Sequence, residues 1–244
     1  MRVRAFVATA VAAFTICLTA PAYAQLGGRT AEEWINTLET NQRLASLKIP
    51  ETLKALGLKP GMMVADIGAG TGIFTTRMAN AVKPGGWVYA VDIDQALLDH
   101  INEASTEVGL SNVQTVLGEY DDPKLPDNVD LALINDVLHH IEHRDVYLKN
   151  LAQYLNPGGR VALINDVLHH IEHRDVYLKN LAQYLNPGGR VALIEFKPGQ
   201  GGHTNDTTLQ VSQEQATAWM TAAGLKQLEV IDLFPDKYFV IYGK

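Results

Sequence analysis

Glycines stand at positions 68, 70 and 72, each separated from the next by one residue, and Asp66 lies two residues before the first of them. An apolar run over 63–67, broken only by Asp66, leads into these glycines, and a helix-like pattern begins at Thr71. The combination reads as a buried strand feeding a glycine-rich turn and a helix N-terminus. That is where an α/β sheet accepts a nucleotide-like ligand. Glycine is required there because the turn wants positive φ and because a Cβ would hold the ligand off the backbone. A dinucleotide fingerprint would place its third glycine at position 73, which is Ile73, so a nicotinamide-dependent oxidoreductase is disfavoured. The apolar run 87–91 ends in Asp92, an acid placed for ribose hydroxyls at the tip of a second strand.

Around this centre the chain reads as one α/β domain. A length of 244 residues with 47% hydrophobic content allows a sizeable core. The formal charge of −7 argues against nucleic acid as a partner, because phosphate binding needs a basic face. Residues 1–24 read as a signal peptide. Arg2 and Arg4 form a positive n-region, 5–19 an apolar stretch, and Ala22-Tyr23-Ala24 an A-x-A cleavage site. The expected product is an exported protein, periplasmic or secreted after cleavage near Ala24, with no stable membrane anchor once the signal is removed. Its lone cysteine, Cys17, lies inside the signal, so the mature chain needs neither disulfides nor a reducing compartment.

Residues 25–60 are expected to form an N-terminal helical cover. Thr30-Ala-Glu-Glu33 is a capping box, starting a helix with Trp34, Ile35, Leu38 and Leu44 on one side, and Pro50 and Glu51 open a second. Helices are expected over 71–82 and after Asp94, strands over 87–91 and 113–117, and a further helix after the capping box Ser212-Gln-Glu-Gln215. Segments 228–234 and 238–242 read as a closing hairpin.

Residues 132–161 and 162–191 are identical, and the identity continues to Ile164 against Ile194. Each copy is one strand–helix unit ending in Asn-Pro-Gly-Gly. Two copies are too few for a solenoid, and the flanks do not repeat. An in-frame duplication would extend the sheet by one parallel strand, since looping a copy out would expose its apolar helix at about 25 cal/mol per Å². Extension moves the last strands outward by roughly 5 Å, away from the glycine turn.

Asp66-x-Gly68-x-Gly70-x-Gly72 with Asp92 resembles the class I S-adenosylmethionine-dependent methyltransferases. The resemblance extends over residues 50–244 once one copy is set aside, and to a group of signal-bearing bacterial members of unassigned substrate. It implies a Rossmann-like three-layer sandwich on a mostly parallel seven-stranded sheet with a closing antiparallel hairpin, here extended by one duplicated unit. It implies S-adenosylmethionine as cofactor, with backbone contacts from Gly68, Gly70 and Gly72, Asp66 near the cofactor's amino group and Asp92 on the ribose. Glu119 or Tyr120 would meet the adenine, and Asn135 would also belong to the cofactor site. Substrate-facing groups would come from Asn135-Asp136-Val137-Leu138-His139-His140. That segment lacks the Asn-Pro-Pro-Tyr box of amide and nucleobase methylation, and its Leu-His-His wording is closer to small-molecule, including quinone-ring, methyltransferases.

Methyl transfer from a sulfonium is an in-line displacement in which the protein positions and desolvates, so few catalytic side chains are needed. Where a base is required, His140 is the first choice because histidine titrates near neutrality, and Asp136 the second. Their copies His170 and Asp166 take those roles if the second copy lines the cleft. No metal site is expected. His139, His140 and His143 place only the first and third on one helix face, and no cysteine supports them. The expected activity is therefore methyl transfer to a small-molecule acceptor. The alternative is a non-catalytic exported binding protein that retains the fold.

Overall fold

The computed structural model describes residues 30–164, 168, 171, 173–201 and 204–244. The expected signal segment, Asp166 and His170 lie outside them.

The chain opens with α1 (Ala31–Leu38), α2 (Asn41–Leu47) and α3 (Ile49–Ala55). The capping box forms as read: the Thr30 hydroxyl accepts the Glu33 N–H at 3.3 Å, and the Glu33 carboxylate accepts the Thr30 N–H at 2.7 Å. The single long helix expected from Thr30 is divided, however. Thr40 takes an extended conformation and caps α2 by accepting the Arg43 N–H at 3.3 Å, so the chain turns between Leu38 and Asn41.

The core alternates β1 (Met63–Ile67), α4 (Thr75–Ala81), β2 (Trp87–Asp92), α5 (Gln95–Glu107), β3 (Val113–Leu117), β4 (Val129–Asn135), α6 (Arg144–Gln153), β5 (Leu155–Ile164), α7 (Arg174–Tyr184) and β6 (Arg190–Phe196). It closes with α8 (Gln213–Ala222), β7 (Lys226–Val230) and β8 (Lys237–Gly243). The first core helix starts at Thr75 rather than Thr71, because residues 71–74 remain in a turn with Gly72 at φ +79°. The eight strands run in the order β3-β2-β1-β4-β5-β6-β8-β7. The first six in sequence are parallel; β8 is antiparallel to β6, and β7 to β8. This is the expected Rossmann-like layered architecture with its closing hairpin and one additional parallel strand. Helices α6, α7 and α8 bury Leu148, Leu178 and Met220 against one face, and α3 and α4 bury Leu53 and Met78 against the other.

The two identical copies are not equivalent in the sheet. Between β5 and β6 like pairs with like, as in Ala162 with Ala192 and Leu163 with Leu193. Between β4 and β5 the register is one residue off, so Ala132 pairs with Val161 and Ile134 with Leu163. Because side chains alternate along a strand, Ala132 and its copy Ala162 face opposite sides of the sheet, as do Ile134 and Ile164. An irregularity between Val129 and Leu131 absorbs the step, and Asp130 there accepts the Asn156 side-chain amide at 2.8 Å. Two residues before the second copy stands Arg160, where Asp130 precedes the first, and Asn186 donates instead to the Leu155 carbonyl at 2.7 Å. The slip is tolerated because helices cover both faces and the paired segments 131–134 and 161–164 are apolar.

Candidate functional site

Strand order reverses between β1 and β4, and the crevice beyond the carboxyl ends of such strands is where open α/β sheets bind ligands. A cavity of about 670 Å³ lies there, within the size range of small-molecule sites.

Its floor is the turn after β1. Gly68, Gly70 and Gly72 have φ of +65°, +56° and +79°. A Cβ at Gly68 would collide with the Val137 side chain, which arrives from the loop after β4. The turn is thus bare because a neighbouring strand's loop crosses it closely, as well as for reasons of φ.

Two buried carboxylates frame this floor. Asp92, 6% exposed, accepts the Gly70 N–H at 2.9 Å with one oxygen and the Asp94 N–H at 3.0 Å with the other. Burial raises its pKa, and these backbone donors oppose the rise. Asp66, 2% exposed, accepts the Thr75 hydroxyl at 2.6 Å. Burial pushes its carboxyl up to about 7; the Thr75 hydroxyl pulls it down and the charge of Asp92 adds to the rise.

The side of the cavity nearest β3 is formed by Leu117, Gly118, Glu119 and Tyr120. Glu119 is ion-paired with Lys124 at 3.2 Å and Tyr120 is exposed, so the tyrosine ring is the freer of the two expected adenine contacts. On the β4 side stand Asn135, Asp136, Val137 and His140. Asp136 sits at φ +55°, held by its N–H to the Ile164 carbonyl at 3.0 Å, and its carboxylate is ion-paired with Arg43 at 3.0 Å. His140 is exposed at the rim, its ring centre 4.0 Å from that of His139. The first copy therefore lines the cavity with Asp136 and His140.

The roof is the element that site-residue reasoning left unnamed. Trp34 and Leu38 of α1 and Arg43 of α2 line the cavity, and Leu38 Cδ1 would lie 3.3 Å from a Cβ at Gly70. The amphipathic pattern from Thr30 announced a cover, but nothing in its spacing marks Arg43 as the residue that reaches Asp136.

Residues 65–161 match the family model described as a methyltransferase domain, ending at the last residue of the first copy. The ubiquinone/menaquinone biosynthesis C-methyltransferase UbiE of Ectopseudomonas mendocina is 33% identical over 112 residues, covering 45% of this chain and 44% of that protein. Its counterpart from Vibrio cholerae is 30% identical over 112 residues, 45% of this chain and 43% of that protein. The matched segment thus spans less than half the length of these relatives. Among solved structures, a SAM-dependent methyltransferase from Aquifex aeolicus superposes with a TM-score of 0.62 at 21% identity, covering 88% of this chain and 98% of that one. The [4+2]-cyclase SpnF superposes with a TM-score of 0.53 at 17% identity, covering 86% and 85%. Residues 65–161 therefore match a methyltransferase domain, and the chain as a whole shares the Rossmann-like α/β fold of the Aquifex aeolicus SAM-dependent methyltransferase.

Proposed function

We propose that the chain binds S-adenosylmethionine in this cavity and transfers its methyl group to a small-molecule acceptor by in-line displacement. The observation that carries the reading is the floor itself: a bare glycine turn tied by its Gly70 N–H to the Asp92 carboxylate, with Asp66 buried beneath. The donor set suits the cofactor. Each Asp92 oxygen is engaged by one backbone N–H and retains capacity for a ribose hydroxyl, and Gly68 and Gly70 both line the cavity. Asp66 lies where a cationic amino group would favour its ionised form. Tyr120 offers an exposed ring at the β3 side for a base. The cofactor supplies an electrophilic methyl on a sulfonium, and the chain's residues bind, orient and exclude water.

On the acceptor side, His140 is placed at the rim to take a proton from an acceptor hydroxyl or ring carbon. Asp136 serves less readily while it holds Arg43. The acidic lining and the charge of −7 support a small molecule over nucleic acid. The relatives named for ubiquinone and menaquinone biosynthesis support a ring-type acceptor. We infer further that residues 1–24 direct export with cleavage near Ala24. Their charge and A-x-A pattern support this.

The test is a calorimetric titration of the full chain with S-adenosylmethionine and S-adenosylhomocysteine beside Asp92→Ala. Micromolar binding that the substitution removes is the expected result. A folded protein that binds neither compound would overturn the methyltransferase reading and leave the non-catalytic one.

A further inference from the structure

We propose that Arg43 is the carboxylate-binding residue of the cavity, and that it exchanges Asp136 for the carboxylate of the cofactor's amino-acid arm. The inference rests on the cofactor reading above. Among the described lining residues, five carry carboxylates (Asp66, Asp92, Asp94, Glu119 and Asp136) and one, Arg43, carries a guanidinium. S-adenosylmethionine brings a sulfonium, an ammonium and a carboxylate. Acidic side chains suit the first two. Arg43 is the lining side chain best suited to the third, because a guanidinium edge presents parallel N–H donors to both oxygens of a carboxylate.

In the structure that fork is half used. Arg43 Nη2 donates to Asp136 at 3.0 Å, while Arg43 Nε is buried with no hydrogen-bond partner. A buried N–H on a charged group without an acceptor is a standing demand for one. The existing pair is weakly sequestered, with side chains 28% and 32% exposed, so an incoming carboxylate can displace Asp136 without unpacking a core contact.

The placement along the sheet agrees. On the cofactor reading, Asp92 at the tip of β2 and the cavity residues after β3 take the nucleoside on one side of the glycine turn. The amino-acid arm must then run to the other side, past β1 toward β4, where Asp136 and Arg43 meet. Because Arg43 stands on α2, the exchange also ties the roof to the ligand, so binding holds the cover in place.

The test compares two probes that differ only by the carboxylate, S-adenosylmethionine and decarboxylated S-adenosylmethionine, titrated into the full chain. The native chain is expected to prefer the first by at least ~10-fold, the scale of a charge-assisted contact. Arg43→Gln should bring that ratio near one by weakening S-adenosylmethionine alone, leaving the decarboxylated probe within about twofold, and Arg43→Lys should restore part of the preference. Unchanged circular dichroism and melting temperature would show that the variants fold. A ratio that persists in Arg43→Gln, or an equal loss for both probes, overturns the assignment. A native chain that binds both probes equally also removes the Arg43 inference and leaves the cofactor reading intact. A native chain that binds neither removes both.

Discussion

The backbone N–H of Gly70 donates to the side chain of Asp92 at 2.9 Å, so the turn after β1 is fastened to the tip of β2 across 22 residues of chain. The same carboxylate accepts from Asp94 at 3.0 Å, which starts α5. One acid therefore fixes both the ligand floor and the helix behind it. Asp92→Ala leaves two N–H groups without their acceptor and should lower unfolding free energy by about 1–3 kcal/mol in a urea titration. Asp92→Asn keeps one acceptor oxygen and should lose less stability than the alanine variant. Equal losses for the two would mean that the carboxylate is not what holds the turn.

Asp66 makes the molecule sensitive to pH. Its carboxyl has an ordinary value of 3.8 and burial raises it to about 7 in the folded protein. Between those values the native state holds a proton that the unfolded state has released, so this group's contribution to stability declines as pH rises from about 4 to about 7. Above pH 7 the folded protein carries the full burden of a buried carboxylate. Asp66→Asn cannot ionise, so its stability relative to the native chain should improve across that window, by an amount on the order of a few kcal/mol at pH 8. A cationic ligand beside Asp66 favours the ionised form and should release a proton on binding at pH 6–7. Titrations in two buffers of different ionisation heat would measure that release, and its absence would place the ligand's charge elsewhere.

The glycine turn and both acids were legible in the sequence because each follows from local chemistry, whereas the sheet was expected only from the family resemblance. A strand that ends in glycines with positive φ, and an acid at the next strand tip, need no knowledge of distant neighbours. The Arg43–Asp136 pair was not legible, since it joins residues 93 apart in the chain that only the tertiary fold brings together. The break at Thr40 was visible only as a second capping residue inside an apolar pattern that reads as one helix. The inversion of Ala132 against Ala162 was hidden for a different reason. Identical residues carry identical propensities, and only unlike flanks, Asp130 and Arg160 among them, separate the copies.

Gly68 is constrained twice, by φ of +65° and by Val137 lying where a Cβ would go. Gly68→Ala should abolish ligand binding and destabilise the fold by about 1–3 kcal/mol. Adding Val137→Ala relieves the collision but leaves the φ strain, so the double variant should recover part of the stability of the single one. Full recovery would show that φ contributes nothing. No recovery would show that Val137 is not the obstacle.

Deletion of residues 162–191 asks what the second copy does. Because 162–164 and 192–194 are the same three residues, the deletion joins Val161 to Ala192 with no change in local sequence. The Ile164 carbonyl that holds the Asp136 N–H is then supplied by Ile194, and β5 passes directly into pairing with β8. The cavity is built from β1, β2, the β3 end, the β4 end and the N-terminal helices, none of which the deletion removes. The shortened chain should therefore fold on a seven-stranded sheet and bind S-adenosylhomocysteine within about threefold of the full chain, a difference under 1 kcal/mol. The slipped register between β4 and β5 has no reason to change, since Asp130 and Asn156 both remain. A loss of affinity beyond tenfold in a cooperatively melting protein would mean that the second copy supports the cleft through α7, and the sheet extension would then be part of the site rather than an addition beside it.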